Sequence, residues 1–216
     1  MNTVRYAIFD MDGTLVDSMG YWIGLVKEAL ALLPKDVELP PRAAEEIPTM
    51  GIRRAREYLA SFGIDARDAF NEEKGAELMK AHYENDVEMK PGARELLDAF
   101  RARGVRMVIA TLTPRPLMEI CLEKHGLKDY FEAFYTPEEY PEGKKGTRIF
   151  FDIMERFGAR AEDVWLFEDS LYSVKTAKSL SLKIAVTEDE TQAKNASLLY
   201  ELSDAYFTDG FLKRLK

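Results

Sequence analysis

The feature that most constrains this chain is a regular alternation, from Pro91 onward, of short apolar runs with longer amphipathic segments. The runs are only a few residues long and rich in β-branched and aromatic side chains, which is typical of strands buried on both faces. The segments between them carry apolar residues at helical spacing. Strands that alternate with helices predict a parallel sheet covered by helices on both faces. The predicted strands are 105–110, 134–135, 164–167 and 184–186, and the predicted helices are 92–103, 117–124, 148–157 and 174–180.

An earlier apolar run, residues 6–9, ends at Asp10 and is followed by turn-forming residues, which indicates a buried strand and a tight loop. From residue 18 to about residue 85 the periodicity is helical, with helices predicted over 55–62 and 68–83 among others and no convincing strand. We therefore predict an α/β fold: a doubly wound parallel sheet of Rossmann-like type with an inserted all-helical domain. Residues 1–16 and 87–216 form the core, and residues 17–86 form the helical insertion.

Composition narrows the classes of function that such a fold can serve. The formal net charge is −8 with no long block of Lys or Arg, which argues against nucleic acid as a partner. The single cysteine, Cys121, excludes an internal disulfide and a zinc site built on several thiolates, and we interpret it as a buried helix residue. No run approaches the ~20 apolar residues of a membrane span, and no signal peptide is recognisable. We expect a cytoplasmic monomer that binds neither nucleic acid nor membranes.

Polar residues interrupt the predicted strands at their carboxyl ends, which is where ligands bind in sheets of this kind. Asp10 and Asp12 follow the first strand, Thr111 follows the next, and Glu168 and Asp169 follow a third. We expect these side chains to converge on one pocket. Four carboxylates so close together would repel one another unless a cation lay among them, and an all-oxygen site favours magnesium over zinc or copper. The pattern thus predicts a Mg²⁺ site.

Four short motifs along the predicted core resemble those of the haloacid dehalogenase superfamily. All four stand in the family's order at plausible spacings, and together they make the resemblance specific. Because a helical insertion follows the first motif, the chain is most similar to the group that contains β-phosphoglucomutase and small sugar-phosphate phosphatases. The motifs are Phe-Asp-Met-Asp-Gly-Thr at 9–14, Thr111, Lys144 with Ile149 and Phe150 after it, and residues 167–170.

The resemblance implies a magnesium-dependent phosphohydrolase. Asp10 would be the nucleophile, because a carboxylate next to magnesium and in line with a phosphoryl group can form an aspartyl phosphate. Asp12 would act as general acid and then as general base, and its backbone carbonyl would contact the metal. Asp169 would bind the metal directly, with Glu168 beside it or acting through water. The predicted metal ligands are therefore Asp10, Asp12, Glu168 and Asp169, while Ser170 is expected to cap the following helix.

The resemblance also implies a set of residues that bind the substrate, a small phosphorylated metabolite. Thr111 would hydrogen-bond a phosphoryl oxygen, and a lysine would offset the charge that grows on the transferred oxygens. Lys144 matches the family's spacing, but the proline that usually follows that lysine is replaced by Lys145, so either lysine could serve. Arg54, in the helical insertion, fits best by its spacing from Gly51 as a residue that holds the remote part of a substrate.

Several other functions are compatible with a fold of this type. Dehalogenases of the superfamily need no second aspartate, so Asp12 argues against that branch. A phosphomutase is the main alternative, but Trp22 stands where the resembled mutases carry a histidine in their helical domain. A phosphate-binding or regulatory module would be expected to lose Asp10, Asp12 or the lysine, and a receiver domain would lack the insertion. Hydrolysis of small phosphate monoesters, with phosphorylated sugars favoured by the resemblance, is our prediction.

Overall fold

The computed structural model describes residues 4–47 and 50–216, and these residues contain one sheet of seven strands. The strands lie in the order β3-β2-β1-β4-β5-β6-β7, and all neighbouring pairs are parallel except β6 and β7. This topology confirms the predicted doubly wound α/β fold. The strands are β1 Tyr6–Phe9, β2 Arg106–Ala110, β3 Phe134–Tyr135, β4 Val164–Glu168, β5 Lys183–Thr187, β6 Ala205–Thr208 and β7 Lys213–Arg214.

Most predicted helices are present, with shifted ends. The helix predicted over 68–83 begins only at Glu72, because the side chain of Asn71 accepts a hydrogen bond from the backbone N–H of Lys74 (3.0 Å) and so caps the helix there. The last two strands and the last helix are not among the predicted elements. The helices are α1 Met19–Ala31, α2 Ala43–Glu46, α3 Ile52–Ser61, α4 Glu72–Asn85, α5 Ala93–Ala102, α6 Arg115–Lys124, α7 Arg148–Phe157, α8 Leu171–Ser179 and α9 Ala196–Leu202.

The chain divides into two compact units by its internal contacts. One unit comprises the residues up to Asp17 together with Val87–Lys216, and it holds the sheet; the other comprises Ser18–Asp86 and holds α1 to α4. The predicted boundary differs by one residue, because it places Asp17 in the helical insertion. Residues 1–3 and 48–49, which the predicted ranges include, lie outside the described residues. Within the described residues, none of the helices combines the length and the apolar character needed to cross a membrane.

The helical unit is built around its own small core. Val26 of α1, Leu59 of α3 and Phe70, which precedes α4, are buried together. The indole N–H of Trp22 donates a hydrogen bond to the hydroxyl of Tyr83 at 3.1 Å, which ties α1 to α4. Helices of this length are marginal when isolated in water, so the burial of these apolar faces supplies most of their stability.

The centre of the α/β unit is formed by β1 and β4, which pair in parallel. The rings of Phe9 and Phe167 are stacked with their centroids 4.4 Å apart, and Phe100 of α5 packs against both. The chain places β2 and β3 on one side of β1, and β4, β5 and β6 on the other. Such a reversal of strand order opens a crevice at the carboxyl ends of the two central strands. The fold therefore predicts a ligand site beyond Phe9 and Phe167.

The segment just after Val87, where the chain re-enters the α/β unit, contains one partner of a buried ion pair. Met89 pairs with Val16, and the ammonium of Lys90 lies 2.7 Å from Oδ2 of Asp189, in the loop after β5. Lys90 also donates a hydrogen bond to the carbonyl of Glu188 at 3.2 Å. The side chains of Lys90 and Asp189 are only 9% and 4% exposed, so each charge depends on the other for compensation.

We expect Lys90→Met to lower the free energy of unfolding by about 3–5 kcal/mol, because the substitution leaves Asp189 buried without its cation. The double variant Lys90→Met with Asp189→Asn should recover most of that loss, since asparagine keeps the oxygen that accepts hydrogen bonds from Thr191 but carries no charge. Urea unfolding at neutral pH measures both. A single variant as stable as the native protein would contradict the assignment.

Candidate active site

The crevice beyond β1 and β4 holds most of the predicted site residues. The backbone N–H of Asp10 donates a hydrogen bond to the carbonyl of Phe167 at 3.0 Å, which continues the β1–β4 pairing by one residue and brings Asp10 beside Glu168. Thr111 follows β2, the other neighbour of β1, and it is buried. The sheet register itself therefore gathers side chains that lie more than 150 residues apart in sequence.

Three carboxylates meet at this point. Asp10, Glu168 and Asp169 are buried, and each offers one oxygen within 4.8 Å of the others. Burial and the neighbouring charge of Glu168 raise the pKa of Asp10 to about 8. Burial, Glu168 and Asp10 likewise hold the pKa of Asp169 above its ordinary value. So many acidic groups in one buried place are unfavourable unless positive charge compensates them.

Lys144 supplies part of that positive charge. Its ammonium lies 2.5 Å from Oδ1 of Asp10 and 2.8 Å from Oε1 of Glu168, and the side chain is almost completely buried. Burial alone would disfavour the charged form, but the two carboxylates outweigh it and raise the pKa of Lys144 above its ordinary value. Despite its own burial, Glu168 has a lowered pKa because Lys144 and nearby N–H groups stabilise its charge. Lys144 is therefore charged at neutral pH.

The turn that carries Lys144 depends on a glycine. Gly143 begins a short 3₁₀ turn, Gly143–Lys145, with φ at +54°, a conformation that few other residues adopt. A Cβ at this position would also collide with the side chain of Leu112. Lys145, in the same turn, is exposed, and its ammonium lies 5.6 Å from the centre of the Tyr172 ring. The backbone thus directs one lysine into the carboxylate cluster and the next one out of it.

Backbone N–H groups hold Glu168 in place. Its Oε2 accepts hydrogen bonds from the N–H of Asp169 (2.8 Å) and of Ser170 (3.0 Å). Ser170 stands at the N-cap position of α8, as predicted, but its side chain makes no capping bond, and its hydroxyl donates to Oδ2 of Asp169 at 3.3 Å. The helix begins at Leu171, three residues earlier than predicted.

The cluster fits a divalent metal ion by its donor set. Oε1 of Glu168 is buried and makes no hydrogen bond of good geometry, although the ammonium of Lys144 lies close to it. Carboxylate oxygens from Asp10 and Asp169 complete a group of hard ligands, which hard cations such as Mg²⁺ prefer over soft nitrogen and sulfur sites. A cation there would offset the repulsion among the three carboxylates.

The carboxylate of Asp12 lies outside this group of three and is held by a different residue. Its Oδ2 accepts a hydrogen bond from the hydroxyl of Thr113 at 2.6 Å, and the backbone N–H of Thr113 in turn donates to Oγ1 of Thr111 at 3.0 Å. Thr14 donates to Oδ1 of Asp169 at 3.3 Å. Thr113 and Thr14 are not among the predicted site residues. Thr14 is the last residue of the first motif, whereas the sequence marks Thr113 only as a second hydroxyl two positions after Thr111.

Two other residues from the sequence analysis are not members of the carboxylate cluster. Arg54 is exposed on α3, within the helical unit. Its part in substrate binding stays a prediction. Cys121 is buried in α6, as predicted, and burial raises the pKa of its thiol, which disfavours the reactive thiolate.

Known proteins with similar sequences and folds agree with this geometry. Residues 4–180 match the haloacid dehalogenase-like hydrolase family. A phosphoglycolate phosphatase of Pseudomonas fluorescens is 30% identical over 186 residues, which cover 83% of this chain and 67% of that protein. A phosphorylated carbohydrates phosphatase of Thermotoga maritima is 27% identical over 180 residues, covering 82% and 81% of the two chains.

Among solved structures, a variant of CbbY from Rhodobacter sphaeroides in complex with xylulose-(1,5)bisphosphate has the same fold. It matches with a TM-score of 0.78 and 19% identity, over 97% of this chain and 96% of that one. The chain belongs to the haloacid dehalogenase-like hydrolase family, in agreement with the four sequence motifs. Its family and the phosphatases among its relatives make it a phosphoric monoester hydrolase.

Proposed function

We propose that this protein is a magnesium-dependent phosphatase that hydrolyses small phosphate monoesters, preferably phosphorylated sugars, through an aspartyl phosphate on Asp10. The observation that carries the proposal is the buried cluster in which Lys144 lies between Asp10 and Glu168, with Asp169 beside them. A cluster of this kind is costly to the fold. Its cost is understandable if the cluster binds a phosphoryl group and a cation.

Asp10 is the nucleophile of the proposed reaction. One oxygen of its carboxylate attacks the phosphorus of the substrate, and the bond between phosphorus and the leaving-group oxygen breaks. The proposal is supported by the position of Asp10 at the carboxyl end of the central strand β1, in the crevice where ligands of such sheets bind. Mg²⁺ held by Asp10, Glu168, Asp169 and the backbone carbonyl of Asp12 would stabilise the negative charge of the transferred group.

Asp12 transfers the protons of both half-reactions. In the first it gives a proton to the departing oxygen, so that the leaving group departs as a neutral alcohol. In the second it accepts a proton from the attacking water, whose oxygen bonds to phosphorus while the bond from phosphorus to Asp10 breaks. The products are inorganic phosphate and the original Asp10 carboxylate. The contact between Asp12 and Thr113 supports this role, because it holds the carboxylate in one orientation.

Lys144 and Thr111 bind the oxygens of the transferred group in this proposal. The ammonium of Lys144 is charged and fixed by its two carboxylate partners, so it requires no rearrangement when charge develops on those oxygens. We propose Lys144 in this role rather than Lys145, because only Lys144 reaches the cluster. Thr111 is buried at the end of β2 and carries a hydroxyl that can donate one hydrogen bond.

The helical unit, Ser18–Asp86, is proposed to act as a cap that selects the substrate, with Arg54 contacting its remote part. The sugar-phosphate class is supported by the sequence relatives, which are named for phosphoglycolate, hexitol and phosphorylated carbohydrates. A mutase is less favoured, because Trp22 stands where the resembled mutases have a histidine, and its indole is bonded to Tyr83. A monomeric state and a cytoplasmic location remain predictions from the sequence.

Release of inorganic phosphate from a substrate panel tests this function. The panel contains sugar phosphates, phosphoglycolate and p-nitrophenyl phosphate, each assayed with Mg²⁺ and with a chelator. We expect turnover with Mg²⁺ and a loss of at least about 10²-fold in the chelator, which corresponds to several kcal/mol of transition-state stabilisation. The preferred substrate then identifies what the helical unit selects.

Other outcomes would redirect the assignment. If no monoester is hydrolysed, but a sugar bisphosphate allows isomerisation of a sugar monophosphate, the protein is a mutase. If neither reaction occurs and a phosphorylated ligand still binds, the protein is a binding or regulatory module.

A further inference from the structure

We propose that Thr113 is a positioning residue, whose hydroxyl fixes the carboxylate of Asp12 for proton transfer. This inference rests on the proposed function, in which Asp12 is the general acid and base. Thr113 itself touches neither the reacting phosphorus nor the leaving group in this scheme. It acts through Asp12.

The contact between Thr113 and Asp12 is short and shielded from water. The hydroxyl oxygen of Thr113 lies 2.6 Å from Oδ2 of Asp12, within the range of strong hydrogen bonds to a carboxylate. Thr113 is 4% exposed and Asp12 is 9% exposed, so water competes poorly for either group. A bond of this kind restricts rotation of the carboxylate about its χ2 angle, which is otherwise broad. Asp12 is therefore kept in one orientation before a substrate arrives.

A second bond from the same residue reaches Thr111. The backbone N–H of Thr113 donates to Oγ1 of Thr111 at 3.0 Å. A hydroxyl has one proton to donate, and an N–H that approaches its oxygen on one side directs that proton to another side. Thr111 is buried at the end of β2, so its proton is left for a group that enters the crevice. This second bond comes from the backbone, which any residue except proline would supply, so only the bond to Asp12 depends on the threonine side chain.

An ordinary structural role for Thr113 is a weaker explanation. A threonine just before a helix commonly caps it, but the N-cap position of α6 is Pro114, and no side-chain capping bond is made there. The hydroxyl of Thr113 is directed instead to a residue 101 positions earlier in the chain, at the end of another strand. This pairing serves the site more directly than it serves the helix.

The leaving group of the substrate provides a readout that a purely structural role would not move. An alkyl phosphate, such as a sugar phosphate, needs its departing oxygen protonated by Asp12, whereas p-nitrophenyl phosphate has a good leaving group and needs little help. We expect Thr113→Val, which keeps the shape and removes the hydroxyl, to lower kcat/KM for the sugar phosphate by about 10- to 100-fold. The loss for p-nitrophenyl phosphate should be several times smaller.

Thr113→Ser is the matched control, because it keeps the hydroxyl and loses only a methyl group. We expect it to restore most of the kcat/KM lost in Thr113→Val, while thermal melting shows both variants folded. Equal losses on the two substrates, no loss in Thr113→Val, or no recovery in Thr113→Ser would each overturn the positioning role.

Asp10→Asn, assayed beside the two threonine variants, separates this inference from the function on which it rests. If Asp10→Asn is inactive while Thr113→Val behaves like the native protein, the proposed function stands and only the role of Thr113 is lost. If Asp10→Asn keeps its activity, the aspartyl-phosphate mechanism and the role of Thr113 both fail.

Discussion

Replacing Asp10 with asparagine should lower kcat for phosphate release by at least about 10³-fold, while the protein stays as stable as the native chain. The amide keeps the shape of the side chain but cannot attack phosphorus. Stability should be retained because Asp10 is one of three crowded, buried carboxylates, and burial with the charge of Glu168 already disfavours its ionised form. Lys144 keeps its second partner, Glu168.

Phosphate-release kinetics and thermal melting, both with Mg²⁺, measure the two halves of this prediction. Native protein quenched in acid during turnover should carry a covalent phosphoryl group, detectable by mass spectrometry, and Asp10→Asn should carry none. Activity within tenfold of the native protein in Asp10→Asn would rule out Asp10 as the nucleophile. The melting curve would reveal a variant that is inactive because it is unfolded. In that case Asp10→Glu serves as the second test, since it keeps a carboxylate but places it in the wrong position to attack phosphorus.

Lys144→Met is expected to lower kcat by at least about 10²-fold and to reduce stability by about 3 kcal/mol in the presence of a chelator. The substitution removes a buried cation that lies 2.5 Å from Asp10 and 2.8 Å from Glu168, and methionine fills a similar volume without charge. Added Mg²⁺ should return part of the lost stability, because a cation in the cluster offsets the same repulsion. The activity should not return.

The neighbouring lysine offers a matched control for this experiment. Lys145→Met makes the same chemical change one residue later, but Lys145 is exposed, so we expect close to native activity and a change in stability below about 0.5 kcal/mol. Urea unfolding with and without Mg²⁺, together with phosphate release, distinguishes the two variants. If Lys145→Met is the inactive one, the sequence alternative that assigns the phosphate contact to Lys145 is correct.

The choice between these two lysines illustrates what sequence reasoning could not decide. Spacing favoured Lys144, but the missing proline left Lys145 open, because both residues are charged and adjacent. The conformation of Gly143 and the packing of Leu112 against it determine which side chain turns inward. These are contacts between segments that are distant in sequence, and no local pattern reports them.

Ser170 and Thr113 also make side-chain hydrogen bonds that their local sequence does not predict. Ser170 stands at the N-cap position of α8, yet its hydroxyl donates to Asp169 and makes no capping bond. Thr113 follows a strand end, where a threonine is ordinary, yet its hydroxyl donates to Asp12, in the loop after β1. Only the folded sheet brings Asp12 within reach of Thr113, whereas Ser170 bonds to its neighbour in sequence.

The sequence by itself determined the class of fold, the family and the set of acidic residues. The short apolar runs and the helical periodicity are local patterns, and polar residues at the carboxyl ends of β1, β2 and β4, or just after them, indicate the crevice. The tertiary structure alone decided the pairing within the site: which lysine compensates which carboxylate, which hydroxyl holds Asp12, and where α8 begins. The physical reason is that hydrogen bonds and ion pairs of a buried site join strands across the sheet, and their geometry depends on register and burial rather than on neighbouring residues.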